Sequence, residues 1–208
     1  MAEARGTRVR RVAGLARKTS GKQKVGAGAA VLLLLTAPFG GLRTAQPPAL
    51  EKVTAGHVVT VGPFDVRVDK LVTVGDLKPS AEPEIDGDRL FALVATVRNP
   101  GQRPEPAATL TGALSFHGAG LVSPDNGGLR PSLLSYDDGE SISVINPGLT
   151  YKVAYVFEQA KGWQAQPVRM DVQRLTFMEE DPLTLDAHYW LAMDETAARG
   201  TFDVDVRR

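Results

Sequence analysis

The sequence predicts an all-β fold, an antiparallel β-sandwich, preceded by a single N-terminal transmembrane helix. Two observations lead to this prediction. Apolar and polar residues alternate with a period of two through much of the chain after residue 57, which is the pattern of half-buried strands. Residues 25–42 contain no charged side chain and follow a basic tail. The 208 residues include no cysteine, which excludes disulfides and cysteine-based metal or catalytic sites.

The charge is distributed unevenly along the chain. Residues 1–24 hold eight lysines and arginines against one acid, Glu3. From Thr44 onward there are 15 basic and 23 acidic residues, a formal charge of −8. Such an asymmetry indicates two different environments. An acidic folded part argues against nucleic acid as a partner, because phosphate binding requires a basic surface.

Residues 25–42 are predicted to be a membrane anchor. As a helix they would span ~27 Å at 1.5 Å per residue, close to the ~30 Å hydrocarbon core of a bilayer. The basic tail before them places the N-terminus in the cytoplasm and the rest of the chain outside, by the positive-inside rule. The predicted protein is therefore a single-pass cell-membrane protein with an extracellular C-terminal domain.

A cleaved secretion signal is the main alternative for residues 25–42. Signal cleavage requires small residues at two positions separated by one residue, and no such A-x-A pattern follows the leucine run. This absence favours the uncleaved anchor, and cleavage would give a secreted soluble protein instead. A buried core helix is less favoured, because no polar residue interrupts the stretch. Residues 43–56, which contain Pro47 and Pro48, are predicted to be a spacer.

Residues 57–208 are predicted to form the sandwich. The segments with alternating or continuous apolar character are 64–68, 90–97, 110–116, 149–157, 168–178 and 202–206. Segment 90–97 is apolar on both faces, which predicts a strand at the centre of a sheet. Segment 168–178 changes parity near Gln173 and Arg174, which predicts a β-bulge.

The parts between the strands are predicted to be turns and loops. Asn-Pro-Gly sequences occur at 99–101 and 146–148, and both favour tight turns. Trp163, Tyr189 and Trp190 are placed in loops, where they either cover the open end of the sandwich or contact a partner. Residues 194–198 could form a single helical turn.

Two of these segments resemble a known bacterial family. Residues 87–101 (GDRLFALVATVRNPG) resemble its strand followed by an N-x-G turn, and residues 146–157 resemble its Pro-Gly turn followed by a strand. The family is that of the telokin-like, or immunoprotective, extracellular immunoglobulin-like domains. The resemblance covers roughly residues 57–178 and implies an immunoglobulin-like sandwich on a secreted or membrane-anchored protein. It implies no catalytic residue, and the tail after Glu179 departs from the family pattern.

The sequence contains no recognisable catalytic constellation. Residues 139–143 (GESIS) lack the closing glycine of a nucleophile elbow. The three histidines, His57, His117 and His188, have no partner at a metal-binding spacing. No phosphate-binding loop is present either. We therefore predict no catalytic, cofactor-binding or metal-binding residue.

Acidic clusters occur at residues 82–88, 137–140 and 179–181. Closely spaced carboxylates can bind calcium, which takes six to eight oxygen ligands. Acidic turns are more often simply solvated, and we expect this for all three, although calcium at residues 82–88 stays open.

The sequence thus predicts a membrane-anchored, non-enzymatic binding or interaction domain at the cell envelope, with the membrane itself and an envelope protein as partners. A secreted immunoglobulin-like protein is one alternative. An envelope hydrolase is a less favoured one, and it would require a cleft with convergent titratable groups.

Overall fold

The computed structural model describes residues 49–180 and 187–207. The elements, in chain order, are β1 (Glu51–Lys52), β2 (Val58–Val61), β3 (Phe64–Val74), β4 (Arg89–Arg98), β5 (Glu105–Pro106), α1 (Ala107–Gly112), β6 (Leu114–His117), a 3-10 turn (Pro124–Asn126), β7 (Ser132–Ser135), β8 (Val144–Ile145), β9 (Thr150–Gln159), β10 (Val168–Glu180), β11 (Ala187–Phe202) and β12 (Val204–Val206).

The strands form a β-sandwich, as predicted. The smaller sheet has the order β1-β11-β10-β6. The larger sheet has the order β12-β3-β4-β9-β7, and β2 also pairs with β3. Neighbouring strands are antiparallel except for two short parallel pairs, β1 with β11 and β12 with β3. Strands β5 and β8 form a separate two-stranded ribbon.

The main core lies between the two sheets. Alternate residues of β4 and β10 point into it, including Leu93 and Met170, which are almost completely buried. Aromatic rings fill one part of this space. Phe116 of β6 lies edge-on to Phe91 at 5.4 Å and to Phe157 at 5.3 Å between ring centroids. This arrangement suits the opposite charge of ring edges and faces.

Strand β4 confirms the prediction of a central strand that is apolar on both faces. Its other set of alternate residues, including Leu90 and Val94, belongs to a second apolar cluster on the outer face of the larger sheet. Leu77, Ala81 and Leu129, from loops, pack against this second cluster. The larger sheet is therefore covered on its inner face by another sheet and on part of its outer face by loops.

The predicted β-bulge in β10 is confirmed. The pairing with β11 changes register between Val172 and Gln173 and again between Gln173 and Leu175. Beyond the bulge, β10 and β11 continue as a ribbon in which Phe177 pairs with Trp190.

Several local predictions are wrong. Residues 194–198 lie within β11 rather than in a helical turn, and Tyr189 and Trp190 lie in the same strand rather than in a loop. The cause is common to both, because each stretch pairs with β10, at its bulge or beyond it, and short-range patterns do not show this ladder. Leu110 belongs to α1, where it and Ala107 are buried three residues apart on one helix face, and not to a strand.

Segment 202–206 is also not one strand. Phe202 ends β11 in the smaller sheet, Asp203 lies between the strands, and Val204–Val206 forms β12 in the larger sheet. The chain thus crosses between the sheets at this point. At the other end of the domain, β1 and the buried Val53 fall within residues 43–56, the predicted spacer.

Among the residues that the structure describes, no helix has the length and apolar character needed to cross a bilayer. The predicted anchor, residues 25–42, lies outside the described residues and stays a prediction.

The inner core generates a direct stability prediction. We expect Leu93→Ala to lower the free energy of unfolding by about 2–5 kcal/mol, because it leaves a cavity between the sheets. Urea unfolding of a polypeptide of residues 50–208, followed by circular dichroism, measures the change. Leu149→Ala is the matched control, since Leu149 is 54% exposed, and a change of about 0.5 kcal/mol or less is expected there. Equal losses in the two variants would contradict the described core.

Candidate ligand-binding cleft

An apolar cleft of about 430 Å³ lies on the outer face of the larger sheet. Its floor is formed by side chains of four adjacent strands, namely Val72 of β3, Val94 of β4, Ala154 of β9 and Leu134 of β7. Ala92 of β4 completes the floor. The volume lies within the range of small-molecule sites, roughly 300–1,000 Å³.

The pairing of the strands explains why these residues share one face. Val72 pairs with Ala92, and Val94 pairs with Ala154, which in turn pairs with Leu134. Directly paired residues point to the same side of a sheet. Two of the five floor residues are alanines, and their small side chains leave depth between the valines and the leucine.

Two turns form part of the wall of the cleft. One turn, at residues 77–81, follows β3 and is closed by the Leu77 amide donating to the Ala81 carbonyl at 2.8 Å. The other follows β7, where the Gly139 amide donates to the Ser135 carbonyl at 2.9 Å. Gly139 has a φ of 73°, and a Cβ there would overlap the hydroxyl of Ser80. The glycine therefore permits both the turn and the contact between the two turns.

Glu158 of β9 fixes the loops that cover the outer face. Its carboxylate is fully buried and accepts hydrogen bonds from three backbone amides, those of Ile85 at 2.7 Å, Leu129 at 2.5 Å and Glu84 at 3.2 Å. A buried carboxylate is costly unless its oxygens are hydrogen-bonded. The three donors come from the loops before β4 and before β7, so one side chain ties both loops to the sheet.

The same contacts hold the acidic segment 82–88 in place. Its backbone is held by Glu158, and Asp88 accepts a hydrogen bond from the Lys161 amide at 3.0 Å. Within the ranges that the structure describes, no three acidic or histidine side chains gather closely enough to hold a metal ion.

The mouth of the cleft is polar and mainly cationic. Lys70, Lys78 and Arg207 line it, together with one acid, Asp138. Lys78 pairs with Glu82 at 3.2 Å, and the hydrogen bond that it donates to this carboxylate raises the pKa of Lys78. The hydrogen bond from the Ser135 hydroxyl lowers the pKa of Asp138.

The described residues that line the cleft include hydroxyl groups but no histidine. Ser80, Ser135 and Tyr136 supply hydroxyl groups, but no histidine is present to act as their base. His117 instead lies on the smaller sheet, 3.4 Å from Asp171, and His57 bonds the Thr54 hydroxyl at 3.0 Å. The structure does not bring the histidines together.

A second charged cluster lies on the outer face of the smaller sheet. Asp171 is almost buried there and receives two hydrogen bonds from Arg199, at 2.6 and 3.0 Å. Arg169 approaches the same carboxylate at 3.5 Å. The hydrogen bond from Arg199 lowers the pKa of Asp171, which opposes the effect of its burial. Bidentate geometry of this kind orients β10 against β11.

The aromatic residues have mainly structural contacts. Trp163 lies in a loop, as predicted, where it packs against the core and donates to the Gly118 carbonyl at 2.7 Å. Trp190 lies 5.3 Å from Phe177, between ring centroids.

Asn99 is fully buried and donates to the carbonyls of Arg103 and Ile145. The buried Asn99 side chain thus fixes the turn at residues 99–101 to Arg103 and to β8.

No protein-family pattern matches the chain, and no curated protein matches it. Solved structures with a similar fold include an uncharacterized β-sandwich protein of Clostridium difficile 630. It shares 11% identity over 77% of this chain and 97% of its own, with a TM-score of 0.46. A candidate lipoprotein of Bacillus subtilis shares 9% identity, with a TM-score of 0.35. The match covers 68% of this chain but 40% of that protein. Similarity at this level assigns neither a family nor a function.

The bonds of Glu158 generate a local prediction. Glu158→Gln replaces one acceptor oxygen by an amide donor that faces backbone amides, so at least one buried amide loses its partner. We expect a loss of about 1–3 kcal/mol in the free energy of unfolding. We also expect faster hydrogen exchange at the amides of Ile85 and Leu129. Glu140→Gln, at an exposed site, should change neither quantity. Unchanged exchange in Glu158→Gln would refute the anchoring role.

Proposed function

We propose that the chain is a single-pass membrane protein whose extracytoplasmic domain, of immunoglobulin-like type, binds an apolar ligand in the cleft without chemical conversion. The observation that carries this proposal is the construction of the cleft. An apolar floor of four strands lies under two turns that are in contact at Ser80 and Gly139. A mainly apolar pocket with a few polar groups at its edge is the usual form of a small-molecule site.

The attachment of the neighbouring loops to the sheet is a second observation that supports the proposal of ligand binding. Glu158 fixes two of the covering loops to the strand that also supplies Ala154. A site whose walls are held in place before binding loses less conformational freedom when the ligand enters. The loop before β4, which includes the lining turn at residues 77–81, is therefore anchored to the sheet close to the cleft.

The proposal of binding rather than hydrolysis follows from the side chains of the cleft. A serine hydroxyl is a weak nucleophile unless a base accepts its proton. Asp138 accepts hydrogen bonds from the Ser135 hydroxyl and from the Glu140 amide, and its pKa is lowered. A carboxylate stabilised in this way is a poor general base at neutral pH.

The location of the domain is proposed from the sequence. The basic tail 1–24 and the uncharged residues 25–42 support an uncleaved anchor with the domain outside. The resemblance to telokin-like domains supports the same placement at the cell envelope. A protein of the envelope is a further proposed partner, and secretion after cleavage is the alternative to anchoring.

The proposed topology predicts a protease result. Protease added to intact spheroplasts should remove the domain that follows Arg43, because this domain lies outside the membrane. Cleavage is followed with antibodies against the domain, and a cytoplasmic marker protein must stay intact. Protection of the domain would contradict the proposed orientation. Mature protein in the medium that starts near Gln46 would instead indicate a cleaved signal.

The proposed cleft predicts binding of a neutral apolar dye. N-phenyl-1-naphthylamine should fluoresce on addition of a polypeptide of residues 50–208, because the floor excludes water. Ala154→Phe fills the cleft and should lower the dye affinity at least tenfold. Thr150→Phe, on the same strand at an exposed position outside the cleft, is the matched control and should leave the affinity unchanged. Urea unfolding verifies that both variants are folded. Equal dye binding by wild type and Ala154→Phe would contradict the proposal.

A further inference from the structure

We propose that the ligand of the cleft is a single-chain anionic amphiphile, a fatty-acid carboxylate. Its head group lies beside Lys70, and its hydrocarbon chain crosses the floor toward β7. This inference rests on the proposed function, since it names the ligand class of the same cleft.

The charged residues that line the cleft belong to different strands and turns. Lys70 lies on β3, Lys78 follows β3, and Arg207 follows β12, the neighbour of β3. The acid of the mouth, Asp138, follows β7 at the opposite edge of the floor. The part of the chain from Thr44 onward has a formal charge of −8. Three cations and one acid therefore line the cleft, in contrast to the acidic charge of the chain after Thr44. Two of the cations, Lys70 on β3 and Arg207 beside β3, lie at the same edge of the floor and favour an anionic group there.

Lys70 is the cation best placed to bind the head group. Lys78 pairs with Glu82, and Arg207 pairs with Asp205 at 3.0 Å. Lys70 makes no ion pair or side-chain hydrogen bond within the described ranges, and its side chain is half-buried. A lysine in this position keeps its methylene groups against apolar neighbours while the ammonium group reaches the edge. Its charge is available to a ligand carboxylate.

The floor is suited to hydrocarbon rather than to a peptide. Strands β3, β4, β9 and β7 pair with one another along the floor, so their backbone groups are directed to neighbouring strands and not into the cleft. A peptide segment on this floor would leave its own backbone groups without partners, which is costly in an apolar site. A hydrocarbon chain has no such groups to satisfy.

The dimensions agree with a chain of moderate length. From β3 to β7 the floor crosses three strand spacings, or ~14 Å at ~4.8 Å each. An extended alkyl chain advances roughly 1.25 Å per carbon for bonds of ~1.5 Å. About eleven carbons therefore span the floor, and dodecanoate is the appropriate probe.

Photolabelling of the full-length chain tests this inference. The chain is reconstituted in lipid nanodiscs and irradiated with a dodecanoate that carries a diazirine near its methyl end. Labelled peptides are identified by mass spectrometry. We expect label on β9 and β7, near Ala154 and Leu134, and protection by excess unlabelled dodecanoate. At equal free concentration, dodecanol and dodecyltrimethylammonium should protect at least tenfold less, because neither supplies an anion for Lys70.

Two charge reversals complete the test. Lys70→Glu should weaken protection by dodecanoate at least tenfold. Lys52→Glu, the same change on β1 of the other sheet, should leave it unaltered. Both positions are outside the core, so both variants should fold.

The outcomes separate this inference from the proposed function. Equal protection by dodecanol and dodecanoate, or no effect of Lys70→Glu, would overturn the anionic head group while leaving an apolar ligand in the cleft. Label that avoids the cleft, with no protection by any of the three compounds, would overturn both. The inference is supported if the label lies near Ala154, if excess dodecanoate prevents the labelling, and if Lys70→Glu weakens this protection by dodecanoate.

Discussion

The structure depends on one constraint, which is that β4 is apolar on both faces. A sandwich of two sheets buries only one face of each, so Leu90, Ala92 and Val94 would otherwise be in water. Full burial of one leucine contributes about 1.5–3 kcal/mol. The loops before β4 and before β7 supply the missing cover, with Leu77 and Leu129 packed on the outer cluster. The cleft lies between this cover and the sheet, with its floor residues buried and the turn at residues 77–81 among its lining.

Glu158 attaches both covering loops to the larger sheet. It lies on the same face of β9 as Ala154, because the two residues are four apart in a strand and side chains alternate. A buried carboxylate opposes folding, and three backbone hydrogen bonds offset that cost. An apolar residue at this position would leave the loop amides without partners. The outer face is apolar and must be covered by loops, and the Glu158 carboxylate is needed because it bonds the buried amides of those loops.

Much of the fold follows from the sequence because it depends on short-range patterns. The period of two identifies β3, β9 and β10, the parity change identifies the bulge, and the apolar run identifies β4 as central. The errors have long-range causes. Pairing across the bulge makes Tyr189 and Trp190 part of a strand, and tertiary packing places Leu110 in a helix. The cleft was missed as a site, although the two apolar faces of β4 were the available signal.

The contacts that hold the covering loops and turns could not be predicted from the sequence, because they join residues far apart in the chain. Glu158 reaches Ile85, 73 residues away. Gly139 meets Ser80 although their turns follow β7 and β3, which lie at opposite edges of the floor. The acidic loop 82–88 is a charged turn in sequence, yet in the structure it is a cover that is fixed by its backbone. Its exposed carboxylates, with the other acids, give the domain an acidic surface that repels anions over a Debye length of ~8 Å at physiological salt. Selection of an anion must therefore be local, and the half-buried Lys70, beside an apolar floor where screening by water is weak, meets that requirement.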